Sequence, residues 1–188
     1  SRVSVLLAVQ RNNRIEFGNI LNPREEGLHM LLQTGTLDVK YYFPEMHNWQ
    51  ITLGANALVQ QNKNTGTEFL IPQYIQSDLG AFSYLKKDVN EKLTITGGVR
   101  FDERFYRSER LMDSNEVRFE ATHRNFYNTS GSLGATYQYS KTVGVKANIA
   151  RGYRAPQAAE LNSNGLHEGT FRYEVGNTAL VPETSLQA

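Results

Sequence analysis

Apolar and polar residues alternate with a period of two along most of the chain. Between Lys92 and Phe105 the odd positions carry Leu93, Ile95, Val99, Phe101 and Phe105, while Thr94, Thr96, Arg100, Asp102 and Arg104 fill the even ones. Between Asn48 and Gln60 one face holds Trp49, Ile51, Leu53, Ala55, Ala57 and Val59; the other holds Gln50, Thr52, Asn56 and Gln60, with Leu58 as the exception. Leu133, Ala135, Tyr137 and Tyr139 make another run, as do Val143, Val145, Ala147 and Ile149. Val3, Val5, Leu7 and Val9 add one more, Leu37, Val39, Tyr41 and Phe43 another, and 74–86 alternates more weakly. Successive side chains of a strand point to opposite faces, so the pattern predicts about eight strands. No stretch carries a helical period. Leu28, Met30 and Leu32 stand on the opposite parity to Leu37 and Val39, which predicts a bulge or tight bend near Gly35.

Alternation alone also describes a sheet over a soluble core; strand length and connections separate the two. The runs Lys92–Phe105 and Asn48–Gln60 exceed the 5 or 6 residues, roughly, at which soluble strands stop, and reach the about 9–11 that a tilted membrane strand needs. Short joins are expected at Arg11–Arg14, Pro44–His47, Lys87–Glu91 and Ser140–Thr142, and longer polar segments at 19–27, 61–73, 107–124 and 152–184. Short turns on one side and long loops on the other are the layout of outer-membrane barrels. Tyr41, Tyr42, Phe43, Trp49, Tyr84, Tyr137 and Tyr139 lie near the short joins; Tyr74, Phe105, Tyr106, Phe126 and Tyr127 lie near the long ones. Two interfacial aromatic girdles are therefore expected.

Mean hydropathy is -0.50 and no apolar run approaches the roughly 20 residues of a membrane helix, but a barrel that alternates apolar-out with polar-in looks hydrophilic on average. A net charge of +1 with dispersed Lys and Arg gives no reason to expect nucleic acid as a partner. The absence of cysteine removes disulfides, Cys-ligated zinc and thiol catalysis.

If the long loops lie outside and the first turn is at Arg11–Arg14, the chain starts at the outer end of a strand and leaves its last long segment outside. A further strand begins at Thr184–Ala188. Complete single-chain barrels keep both termini on the inner side, so residues 1–188 are expected to be a partial barrel. A plugged transporter needs about 22 strands.

The most specific stretch is 150–185, ARGYRAPQAAELNSNGLHEGTFRYEVGNTALVPETS. Its series Arg151-Gly152-Tyr153-Arg154-Ala155-Pro156, Glu160-Leu161, Gly165 to Thr170 (with His167 and Gly169), Tyr173 to Asn177 (with Gly176), and Leu180 with Glu183 resembles the barrel of TonB-dependent outer-membrane receptors. RIEFG at Arg14–Gly18, LIPQY at Leu70–Tyr74 and GGVRFD at Gly97–Asp102 fit the same family. The resemblance implies an all-β meander within a larger barrel, located in the outer membrane of a Gram-negative cell and surrounded by lipid. It also implies a plug domain that contacts the TonB complex; plug and closing strands are not in this sequence. Within the family the segments look most like receptors for ferric citrate and related iron chelates, with haem and other siderophore receptors sharing the pattern.

The motif residues read mainly as scaffold. Pro156 suits a strand that is ending, Arg151 and Arg154 can pair with Glu160 and Glu174, and glycines supply turns. The best ligand-side candidates are in 103–124: Arg104, Arg107, Arg110 and Arg118, with Arg124 and the aromatic Tyr106. A guanidinium offers a planar donor fork that suits the carboxylates or phosphates of an anionic chelate. The plainer reading is a solvated loop, since Glu103, Glu109, Asp113, Glu116 and Glu120 balance the charge. Lumen-facing Lys40, Arg100 and Lys146 could guide an anion or line a wet interior. His29, His47, His123 and His167 are isolated, so no protein metal site or cofactor is expected, and no catalytic motif points to an enzyme. Active import of an iron chelate is the leading function. A passive porin would share the strands but not 150–185, and a soluble β-sandwich binding module would not need an apolar belt.

Overall fold

The alternating runs become long antiparallel strands: β1 (Arg2–Glu16), β2 (Leu28–Tyr42), β3 (Trp49–Asn64), β4 (Tyr74–Asp88) and β5 (Leu93–Ser108). A small ribbon of β6 (Leu111–Asp113) and β7 (Glu116–Phe119) precedes β8 (Thr122–Gln138) and β9 (Gly144–Arg154). A one-turn helix α1 (Ala158–Asn162), a second ribbon of β10 (Asn164–His167) and β11 (Arg172–Val175), and finally β12 (Glu183–Gln187) complete the chain. The computed structural model describes all residues except Asn19, Ser114, 168–171 and the side chain of His167; the expectations at His167 and Gly169 lie outside the described residues. Eight strands form one sheet in the order β1-β2-β3-β4-β5-β8-β9-β12.

From β1 to β8 the pairing keeps odd positions with odd positions: Val5, Val39, Ala55, Ala81, Phe101 and Thr129 form one continuous row. One face is consequently apolar and the other polar. On β3 the odd positions are apolar from Trp49 to Val59 and polar at Gln61 and Lys63. That apolar length matches the about 9–11 residues with which a tilted strand crosses a bilayer. Val99, Leu133 and Ile149 are about half exposed on this outer face, which carries no charged residue in their registered pairs. This is a belt built for a non-aqueous solvent.

The buried core lies elsewhere, on the even (inner) face at the end of the long connections. Leu28, Tyr74, Tyr106 and Phe126 of the strands pack there under Leu70, Ile71, Ala155, Ala158 and Leu161 of the connections. Met30, Leu32, Tyr153 and Leu180 border this cluster. The connections thus form a roof over one end of the wall.

Several expectations change. Residues Arg11–Arg14 are not a turn: they lie within β1, paired with Gln33 to Met30, so the first join is 17–27 and Arg2 sits beside Tyr42 near the short joins. Arg11 and Asn13 are polar because the strand continues past the belt. No bulge occurs at Gly35; β2 keeps one register against both neighbours. Leu28, Met30 and Leu32 change parity because their end of the inner face is roofed and must be apolar. Tyr74, Tyr106 and Phe126 belong to that core and not to a girdle, whereas Phe105 and Tyr127 do face outward. The long segments are also shorter and more ordered than expected, since β3 continues to Asn64 and 107–124 contains the β6–β7 ribbon. Helix α1 is too short to show a period. It is fixed by Glu160, whose Oε2 accepts the Gln157 backbone N–H at 2.8 Å.

Candidate ligand-binding site

Below the roof, the inner face carries a continuous polar network. Asp78 and Arg104 stand directly opposite each other across β4 and β5. Arg104 donates to both carboxylate oxygens, Nε to Oδ1 at 2.8 Å and Nη2 to Oδ2 at 2.7 Å, and its Nη1 reaches the Pro156 carbonyl at 3.3 Å. One row further, Asn56, Gly80 and Asp102 align. Because Gly80 has no side chain, Arg100 can lie across the row. Arg100 Nε donates to Asp102 Oδ2 at 2.7 Å and its Nη2 to Asn56 Oδ1 at 2.6 Å. A Cβ on Gly80 would collide with all three of these side chains. Gln60 continues the network upward: it donates to Thr34 at 3.1 Å and accepts from the Tyr74 hydroxyl at 2.9 Å.

Gln60, Tyr74, Asp78, Arg100, Asp102 and Arg104 line a cleft of about 860 Å³ between wall and roof, together with Arg14 and Arg154. Each of the four arginines is held by a carboxylate: Arg14 by Glu16, Arg100 by Asp102, Arg104 by Asp78, and Arg154 by Glu160 and Glu183. The Arg104 and Asp78 side chains are 21% and 22% exposed, so their pair is shielded enough to hold geometry without being sealed from a solute. At the rim, Arg154 bridges Glu160 at 2.8 Å and Glu183 at 3.0 Å, tying α1 to β12. The Arg154 guanidinium, and after it the Gln157 N–H, hold the Glu160 carboxyl below the usual carboxylate range.

The structure disperses the arginines of 103–124. Arg104 faces the cleft; Arg107 is on the opposite parity, exposed on the outer face beside Ile75 and His123. Arg110 is exposed, 3.8 Å from Glu120. Arg118 ties loops together, donating to Phe69 O at 3.0 Å and Asp113 at 3.2 Å while its carbonyl accepts from Asn164 at 2.8 Å. Arg124 holds Leu180 O at 2.8 Å. Tyr106 is buried in the roof core, 5.5 Å between ring centroids from Tyr74.

Several motif residues meet in the roof, while Arg151 stands in β9 and Glu183 in β12. Pro156 is buried and gives its carbonyl to Arg104, and Leu161 is 1% exposed. Gly165 and Gly176 are close-approach positions: an added Cβ would lie 2.6 Å from the Phe69 carbonyl oxygen and 2.6 Å from the Asn162 backbone nitrogen. Gly176 N donates to Ser163 O at 2.7 Å and Asn177 N to Glu160 O at 2.8 Å. Arg151 bonds back to Asn128 at 3.1 Å and to the Thr129 carbonyl. Sequence reasoning missed Asp78, Asn56 and Gly80. A signal did exist, because parity places Asn56, Asp78, Arg100, Asp102 and Arg104 on one face.

A family description, "TonB dependent receptor-like, beta-barrel", matches residues 33–188. Among solved structures, the hemophore receptor HasR of Serratia marcescens, in complex with its hemophore HasA and heme, is similar with a TM-score of 0.61 and 16% identity, over 98% of this chain and 35% of that one. The copper transporter OprC is similar with a TM-score of 0.69 and 14% identity, over 98% of this chain and 31% of that one. The chain therefore spans about a third of the length of these structures. No curated protein matches it by sequence.

Proposed function

Since the chain belongs to the TonB-dependent receptor-like β-barrel family, we propose that it is wall and roof of an outer-membrane receptor that imports an anionic iron chelate, ferric citrate or a siderophore, energised through TonB. The observation that carries the reading is the set of four guanidinium groups, Arg14, Arg100, Arg104 and Arg154, that line the cleft beneath the roof. A polycarboxylate chelate presents several oxygens around a metal it already coordinates. Planar guanidinium forks held in fixed positions match such a shell, and no metal ligand from the protein is required. Asp78 and Asp102 hold Arg104 and Arg100 extended across the wall, and the ligand then draws on the guanidinium edges that remain.

The plug, the closing strands of a barrel of about 22 strands, and the contact with the TonB complex belong to the same proposal. The relatives' cargoes, heme for HasR and copper for OprC, supply the competing ligands.

The test is titration of the full-length protein in detergent with ferric citrate, ferric siderophores, haem and copper, followed by fluorescence. Saturable binding to one ferric chelate is expected, weakened about tenfold or more by Arg104→Gln, which removes charge-assisted hydrogen bonds of about 1.5–3 kcal/mol. Arg107→Gln, on the outer face, should leave it unchanged. Binding only to haem or copper would refute the iron-chelate reading.

A further inference from the structure

On the outer face, away from the charged wall, a concavity of about 350 Å³ opens where β3 and β4 meet the short joins. Phe43, Met46, Trp49, Ile51 and Leu85 line it. One cation stands beside this apolar hollow: Lys87 is paired in register with Trp49. Its Nζ lies 5.0 Å from the Trp49 ring centroid and donates to the His47 carbonyl at 2.7 Å. His47 and Asn48 adopt φ of 51° and 61°, the left-handed turn conformation that presents this carbonyl to Lys87.

Lys87 has no carboxylate partner among the described residues. Two carboxylates at this end are engaged elsewhere, Asp88 by Lys86 at 3.1 Å and Thr94 at 2.6 Å, and Glu45 by Gln50 at 3.4 Å, and Glu91, in the join after β4, forms no ion pair with Lys87. An ammonium has three donors, and the His47 carbonyl takes one. Depth fixes what can approach the others. Trp49 begins the apolar run of β3, and on β4 Lys87 follows the outward residues Leu79, Ala81, Ser83 and Leu85. Both stand where hydrocarbon gives way to headgroups, on the side of the short joins.

We propose that this hollow is a binding site for an anionic phospholipid of the leaflet on the short-join side. One acyl chain lies against Phe43, Met46, Trp49, Ile51 and Leu85, and the lipid phosphate meets the free donors of Lys87. Apolar hollow and unpaired cation are adjacent in the order in which a phospholipid presents chain and phosphate. The inference rests on the membrane placement of the sheet and not on the cargo, so its failure leaves the import reading untouched.

The test uses the full-length protein in lipid nanodiscs containing phospholipids with brominated acyl chains, which quench tryptophan on contact. Trp49 is the single tryptophan of this chain, and its signal is the difference between the parent and Trp49→Phe. Brominated phosphatidylglycerol should half-quench Trp49 at a mole fraction about fivefold lower than brominated phosphatidylcholine, as one basic residue at an anionic surface provides. Lys87→Gln should abolish that preference and Lys87→Arg should retain it. Equal quenching by both lipids in the parent, or a preference that persists in Lys87→Gln, overturns the site.

Discussion

At the scale of residues, the rim of the cleft depends on one carboxylate. Glu160 receives Arg154 and the Gln157 N–H, so it anchors α1 at its own N-terminal end and to β9 at once. Its pKa is depressed in the folded state. Stability from such a group is complete above the unfolded carboxyl pKa, about 4.3, and is lost as pH falls through the lower folded value. Protease cleavage within 155–182 is therefore expected to rise as pH drops below about 4, when measured with an acid-active protease. In Glu160→Gln the cleavage should be higher at neutral pH and its acid dependence flatter. An acid response that is identical in the two proteins would remove Glu160 from this role. In the sequence Arg104 stands on the polar parity and among the loop arginines, but its partner Asp78 is 26 positions away. Only the register between β4 and β5 unites them, and register is set by turn geometry and burial along the whole strand.

At the scale of elements, the strands were legible and the roof was not. Alternation identifies β3, β5, β8 and β9 because each has one face in an apolar medium and one in a polar medium. Where a second packing surface is added, the rule reverses: Leu28, Met30 and Leu32 turn inward to meet Leu70, Ile71 and Leu161. From the sequence this reversal looked like a bulge. Polarity misled at Arg11–Arg14 for the complementary reason, since a strand that outruns the belt can be polar on both faces. Helix α1 and the single strands of the β6–β7 and β10–β11 ribbons, each of five residues or fewer, are held by tertiary contacts and not by their own periodicity. Leu161 is the most buried side chain of that core. Leu161→Ala should destabilise the roof by about 2–5 kcal/mol, seen as faster amide exchange in 155–182 with the amides of β3 to β5 in the belt unchanged. Acceleration spread equally over the belt would show that roof and wall do not unfold separately.

At the scale of the whole molecule, one sheet separates two solvents, and the same chemical change has opposite consequences on its two sides. Leu53 and Thr52 are neighbours in β3 but point outward and inward respectively. Leu53→Arg, near the middle of the apolar run, should cost about 2–4 kcal/mol in denaturant titrations of the lipid-inserted protein, whereas Thr52→Arg should cost less than about 1 kcal/mol. Equal costs would place the membrane on neither face. The unbroken pairing from β1 to β9 also gives side chains a reading frame. Insertions in the connections leave that frame intact, whatever their length. Within a strand, one residue added or lost past the point of change exchanges the oily coat for the wet lining, and a second restores it. Length variation among relatives of this chain should therefore be free in the loops and come in pairs in the strands.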